Sequence, residues 1–148
     1  MKLIDSSIVD IKGIDDLTVV SPVNIYGVEF GANVFVGPFV EIQRNTKVGD
    51  NTKIQSHSFV CEFVTIGRDC FIGHGVMFVN DKFSDGGPAQ GDRSKWISTE
   101  IGDRVSIGSN ATILPVTICD DVVIGAGAVV TKSIVEPGKY VGNPARKL

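Results

Sequence analysis

The residues able to do chemistry in this chain are few, and their spacing is regular. It has only two histidines, His57 and His74. An Asn80-Asp81 pair follows shortly after, and Arg44, Glu62 and Asn80 are spaced 18 apart. Histidine is the natural general base near neutral pH. An Asn side chain can position a polar group by hydrogen bonding, and a neighbouring carboxylate such as Asp81 can hold a hydroxyl or another donor. Each residue also has a plainer role open to it. Asn80 suits a corner in left-handed dihedrals, and Asp81 suits a turn at a loop entry. The histidines can be polar corner residues, and Glu62 can tune a neighbour's protonation or simply pair with Arg44 on the surface.

Other reactive groups offer less. Cys61, Cys70 and Cys119 are an odd set without metal-type spacing. A zinc hydratase site would need about three His ligands, one more than the chain holds. No residue stands out as a nucleophile.

The elements that position these residues come from a repeat. A hydrophobic residue recurs every six positions at Phe30, Val36, Ile42, Val48, Ile54, Val60, Ile66, Ile72 and Phe78. A period of six matches neither a helix nor an ordinary strand; it is the period of a coil that turns a corner after every short strand. The pattern resumes at Ile101, Ile107 and Ile113, takes one step of five to Ile118, and continues through Ile124 and Val130. The five-residue step should pinch one corner. The fifth residue of many hexads is smaller, as at Val34, Thr52, Ser58, Cys70, Ala111 and Ala128. Each hexad thus offers one large and one small inward side chain. Three hexads close one triangular coil, so residues about 18 apart lie over one another and the strands pair in parallel. His57 and His74 should then sit on adjacent coils near one corner, and Arg44, Glu62 and Asn80 should form a polar column.

The chain reads as one domain over residues 1–148, with an irregular lead-in at 1–28, coils at 30–78, a loop at 79–99, coils at 101–135 and a tail at 136–148. The loop carries Asp85-Gly86-Gly87-Pro88 and the charges Lys82, Arg93 and Lys95. Loops of this length in a compact domain are more often functional than decorative. Trp96 is expected to anchor it against the coils. The net charge of −3 gives no footprint for nucleic acid. No apolar run approaches a membrane span. Met1-Lys2-Leu3-Ile4-Asp5 turns acidic at once, without a signal-peptide core, so the expected location is cytoplasmic.

The closing stretch begins at Ile118, passes through Ile124-Gly125-Ala126-Gly127-Ala128 and ends on Gly142-Asn143-Pro144-Ala145-Arg146. With this stretch, the repeat and the ejected loop, the chain resembles the hexapeptide-repeat acyltransferases. The resemblance implies an all-β fold, a left-handed parallel β-helix, working as a homotrimer with acetyl-CoA and no metal. Handedness comes from the resemblance alone, since left-handed winding departs from the usual crossover rule. Around Phe71 to Asp81 the chain is most similar to N-acetyltransferases of nucleotide-linked amino sugars. Sugar O-acetyltransferases of the superfamily carry a His base near the position of Asn80. The resemblance places Ser109 and Ala126 beside the pantetheine arm, and Thr131, Lys132 and Arg146 at the adenosine phosphates.

These readings converge on amine transfer, with Asn80, His57, His74 and Asp81 as the catalytic candidates. A hydroxyl must lose its proton as it attacks a thioester, whereas a neutral amine mainly needs positioning. O-acetyl transfer from a His base is the alternative, and a non-catalytic or metal-dependent solenoid is the third. The expected site is a groove between subunits, one edge of it a single corner holding His57, His74 and Asn80.

Overall fold

The computed structural model describes residues 8–148, so the reading of Met1 to Asp5 lies outside the described residues. The chain winds into a three-sided parallel β-helix, and the three sides are its three sheets. The first face stacks seven strands, among them Asn24–Tyr26, Glu41–Ile42, Phe59–Val60, Met77–Phe78, Thr112–Ile113 and Val129–Val130. The second stacks five, Val28–Phe30, Thr46–Val48, Val64–Ile66, Thr99–Ile101 and Thr117–Ile118. The third stacks eight, including Phe35–Val36, Lys53–Ile54, Phe71–Ile72, Ser106–Ile107 and Val122–Ile124.

The hexad residues fill the interior as their period demands. Val36, Ile42, Ile54, Val60, Ile72 and Ile113 are fully buried. Each contributes roughly 1.5–3 kcal/mol by leaving water. The smaller inward row is also buried, and its polar members are satisfied locally. Thr52 Oγ1 donates to Gly67 O at 2.8 Å and Ser58 Oγ to Gly73 O at 2.8 Å. Cys70 fills the equivalent slot one coil later, its thiol donating to Gly102 O at 3.1 Å. Thr99 Oγ1, at the point where the chain rejoins the coils after the loop, is buried without a partner.

Coil length varies with position. Lys53 pairs with Phe71, 18 residues on, whereas Ile101 pairs with Ile118 and Ile107 with Ile124, 17 on. The five-residue step produces that shortening. Its corner, Leu114 to Val116, is tight, with Val116 buried. The segment before Phe30 is already wound, since Ile8 pairs with Ile25 and Thr18 with Phe35. The segment after Pro137 is also structured. Gly138–Val141 adds a parallel strand to the third face, and Arg146–Lys147 folds back antiparallel on it.

The edge between the second and third faces is a ladder of short polar side chains. Asp50 Oδ1 accepts from Ala32 N at 2.8 Å, Asp103 Oδ1 from Arg68 N at 3.0 Å, and Asp120 Oδ1 from Asp103 N at 2.9 Å. Beside them Asn33, Asn51 and Asp69 hold φ of 55, 58 and 56°, the left-handed region these residues tolerate. Gly67 belongs here because a Cβ would lie 2.5 Å from Gly102 O. The backbone N–H of Arg68, then its side chain, hold the Asp103 carboxyl below its ordinary value. The Arg104 guanidinium does the same for Asp121.

This packing has consequences for stability. Carboxyls whose folded pKa is depressed stabilise the fold above their unfolded pKa and lose that contribution as pH falls through the folded value. The melting temperature should therefore fall as pH drops below about 4, and Arg104→Ala should flatten that fall; an unchanged profile would detach Arg104 from acid stability. Thr99→Val removes an unsatisfied hydroxyl without changing volume, so thermal unfolding should show a stability unchanged or raised by up to about 1 kcal/mol.

Candidate active site

Two edges flank the first face, and the candidate residues divide between them. At the edge entering it from the third face, Ser56, His74, Ser109 and Ala126 form one column. Backbone bonds establish the stacking: Gly75 N donates to Ser56 O at 3.0 Å, Asn110 N to His74 O at 2.8 Å, and Gly127 N to Ser109 O at 2.9 Å. The adjoining column holds Phe39, His57, Gly75, Asn110 and Gly127, all at positive φ. His57 lies against the Phe39 ring, with centroids 4.9 Å apart. Both histidines are exposed and sit on adjacent coils. The coils approach closely at Gly108, where a Cβ would stand 2.5 Å from Ala126 N. Ala126 is exposed and Ser109 half-buried, so an extended amide-bearing chain can reach coil backbone there.

The edge leaving the first face carries Arg44, Glu62 and Asn80 in one column. Asn80 is half-buried, and its Nδ2 donates to the Glu62 main-chain O at 3.2 Å. That bond fixes the amide and leaves Oδ1 as the outward acceptor. Glu62 is only 8% exposed. Its Oε2 accepts from Arg93 at 2.5 Å, while Arg44 lies 4.0 Å from Oε1. The plain surface pair with Arg44 expected for Glu62 is thus secondary to a part-buried bond that brings the loop down. The Arg93 guanidinium also sits 5.3 Å over the Phe63 ring. Trp96 packs on Phe63 with centroids 6.5 Å apart, and so anchors the loop. Asp81 closes the loop's own backbone: Oδ1 accepts from Phe83 N at 2.9 Å and Oδ2 from Ala89 N at 2.7 Å. Ile97 N then returns to Asn80 O at 2.9 Å.

The single corner expected for His57, His74 and Asn80 is therefore corrected. Asn80 follows His74 by one hexad, and one hexad advances the chain by one side of the prism. The two histidines stand at one end of the first face and Asn80 at the other. The cofactor candidates divide in the same way. Thr131 and Lys132 follow Val130 on the Asn80 edge, two coils beyond it, where Leu114 N donates to Val130 O at 3.1 Å. Arg146 lies on the closing antiparallel strand near the histidine edge, where Ala145 N donates to Val129 O at 2.8 Å. Lys132 and Arg146 are exposed.

Sequence reading missed Asn110, whose side-chain oxygen occupies the space that a Cβ at Gly75 would need. It also missed the bond from Arg93 to Glu62. The corner spacing would have found the first; nothing in the spacing announces the second. Burial pushes the Cys61 thiol up to about 12 and raises Cys70 as well. Among the described residues no group of three His, Cys, Asp or Glu is placed to hold a metal, and no helix is long and apolar enough to cross a membrane.

A parallel three-sided prism with a polar column at each edge defines a class of hexapeptide solenoids. Models of the bacterial transferase hexapeptide match residues 27–62 and 45–80, and the hexapeptide repeat of succinyl-transferase matches 99–132. The chain belongs to the hexapeptide-repeat transferase family, with its left-handed β-helix. It is 36% identical over 107 residues to the bifunctional protein GlmU of Nostoc sp., matching 72% of this chain and 21% of that protein. The chain thus spans about a fifth of the length of such a relative. A mutant perosamine N-acetyltransferase of Caulobacter crescentus, solved with CoA and GDP-perosamine, superposes with a TM-score of 0.70 at 24% identity over 97% of this chain and 57% of that one. A maltose O-acetyltransferase of Clostridium difficile gives 0.64 at 31% identity over 78% and 65%.

The thiols provide a direct check of this geometry. In the native protein at pH 8, Ellman's reagent should titrate Cys119, which is half-buried, and leave Cys61 and Cys70 protected until the chain unfolds. Rapid reaction of all three would contradict their burial.

Proposed function

We propose that this chain is an acetyl-CoA-dependent N-acetyltransferase acting on the amine of a nucleotide-linked amino sugar. One observation carries the reading. Asn80 Nδ2 is tied to the Glu62 carbonyl, so Oδ1 presents an acceptor at the mouth of the loop, suited to an amine N–H. The two carboxylates beside it are already engaged. Asp81 is held by two loop N–H groups and Glu62 by Arg93, so neither is free to act as base. An amine needs no base from these two groups, whereas a hydroxyl would have to draw one from elsewhere.

In the proposed mechanism Asn80 orients the neutral amine, whose lone pair attacks the thioester carbonyl carbon. The carbonyl π-electrons move to oxygen, and a backbone N–H at a coil corner stabilises the oxyanion. Collapse reforms the carbonyl and breaks the C–S bond. The amine's proton leaves for solvent and the coenzyme A thiolate gains one. Ser109 and Ala126 line the pantetheine arm, with Thr131, Lys132 and Arg146 at the phosphates. These groups lie on two edges of one prism. A homotrimer brings the histidine edge of one copy against the Asn80 edge of the next, and so assembles the site in a groove between them. His57 and His74 then face the substrate from the neighbouring copy. A location in the cytoplasm fits substrates of this kind.

O-acetyl transfer is the second reading. It is favoured by the exposed histidine edge and by the likeness to the maltose O-acetyltransferase. Acceptor assays with acetyl-CoA separate the two. Amino sugars should release thiol and hydroxyl-only sugars should not; the reverse would establish O-transfer, with a rate that depends on His74. Asn80→Ala should lower kcat by roughly a hundredfold while coenzyme A affinity holds. Equal losses in both would make Asn80 structural.

A further inference from the structure

Below Asn80 on the same edge, a cleft of about 550 Å³ opens between the lowest coils. Its walls include Lys12, Tyr26, Glu29, Arg44 and Lys47. The volume is that of a small-ligand site. Tyr26 offers a flat ring, half-buried, with the Arg44 guanidinium carbon 5.5 Å from its centroid. Lys47 is paired with Glu29 at 3.7 Å. Glu41 and Glu62 are the carboxylates acting on Tyr26, and Glu41 accepts from the Gln43 amide at 2.9 Å; Asp10 also lines the cleft.

Between this cleft and Asn80 stands Glu62. Its one carboxylate faces two guanidiniums, Arg93 at 2.5 Å and Arg44 at 4.0 Å. It balances one of those charges and leaves the other. The two arginine side chains remain 45% and 57% exposed, so much of their donor fork faces solvent. Planar forks with spare donors suit phosphate oxygens. Of the other loop groups named from the sequence, Lys82 is exposed. Lys95 is bound to Asp85 at 2.6 Å, and Trp96 is packed on Phe63.

The spacing of the three features matches one extended ligand. Coils stack about 4.8 Å apart. Arg44 therefore lies two coils, about 10 Å, from Asn80, and Tyr26 about 14 Å from it. A sugar amine, a diphosphate and a base follow one another over a comparable reach.

We propose that this edge is a nucleoside-diphosphate tract. Arg44 and Arg93 grip the diphosphate, the Tyr26 cleft receives the nucleoside, and Asn80 meets the sugar amine. The inference rests on the acceptor reading given above, and its test can fail independently of that reading.

The test is calorimetric titration of uridine, guanosine and thymidine diphosphates against the protein saturated with coenzyme A. Saturation fills the coenzyme's own nucleotide site. At least one nucleoside diphosphate should bind. Arg44→Ala should weaken it by about tenfold or more, with the melting temperature and coenzyme A affinity unchanged. Lys12→Ala, an exposed residue on the far wall, should weaken it by a few fold, and keeps the test informative if Arg44→Ala destabilises the fold. Failure of all three nucleotides to bind would overturn the tract, as would binding indifferent to both substitutions. If free amino sugars are then acetylated as well as nucleotide-linked ones, acetyl transfer survives without the tract. Nucleotide binding through Arg44 in a protein that acetylates no amine would remove the transferase reading and leave the tract.

Discussion

Coil-on-coil hydrogen bonding is the constraint from which the rest of this molecule follows. Each short strand gives its N–H groups to the coil on one side and its carbonyls to the other. No strand can shift without breaking a ladder that runs the length of the prism. The chain must therefore turn at fixed intervals, and whatever stands at a turn is repeated in space directly above. Residues far apart in sequence become neighbours along a column, and a functional surface is built as a line rather than as a pocket. Gly108 shows how strictly this is enforced, because a single carbon added there would strike the backbone above.

The same constraint explains how three unlike edges coexist on one small body. The second-to-third edge is self-contained, its carboxylates bound to backbone N–H groups and guanidiniums. The two edges flanking the first face are not closed in this way. One leaves His57, His74 and Ala126 exposed. The other interrupts its column with a loop and concentrates charge around Glu62. An edge that satisfies itself supports the prism, and edges left incomplete are available to other molecules.

Much of this is legible in the residue order. The hexad positions name the core, and Ile42, Ile54 and Ile72 are fully buried. The column of Arg44, Glu62 and Asn80 is legible from a spacing of 18. The separation of His74 from Asn80 is equally available, since six residues advance one side, yet proximity in sequence conceals it. The bond from Arg93 to Glu62 depends on how a non-repeating segment folds back, and no period encodes that. The closing hairpin is hidden for a related reason: Gly142 to Ala145 reverses the chain after the repeat has ended, so Arg146 runs antiparallel to Val141.

The loop leaves at Asn80 and returns at Ile97, and a single hydrogen bond of 2.9 Å joins these two residues. Departure and re-entry are therefore almost the same place. The excursion can change in length while both ends still meet, although Arg93 and Trp96 tie this one to Glu62 and Phe63. Such an insertion behaves like an exchangeable handle on a rigid tool. Rewriting this stretch would change what the edge grips and leave the stacked frame beneath in place.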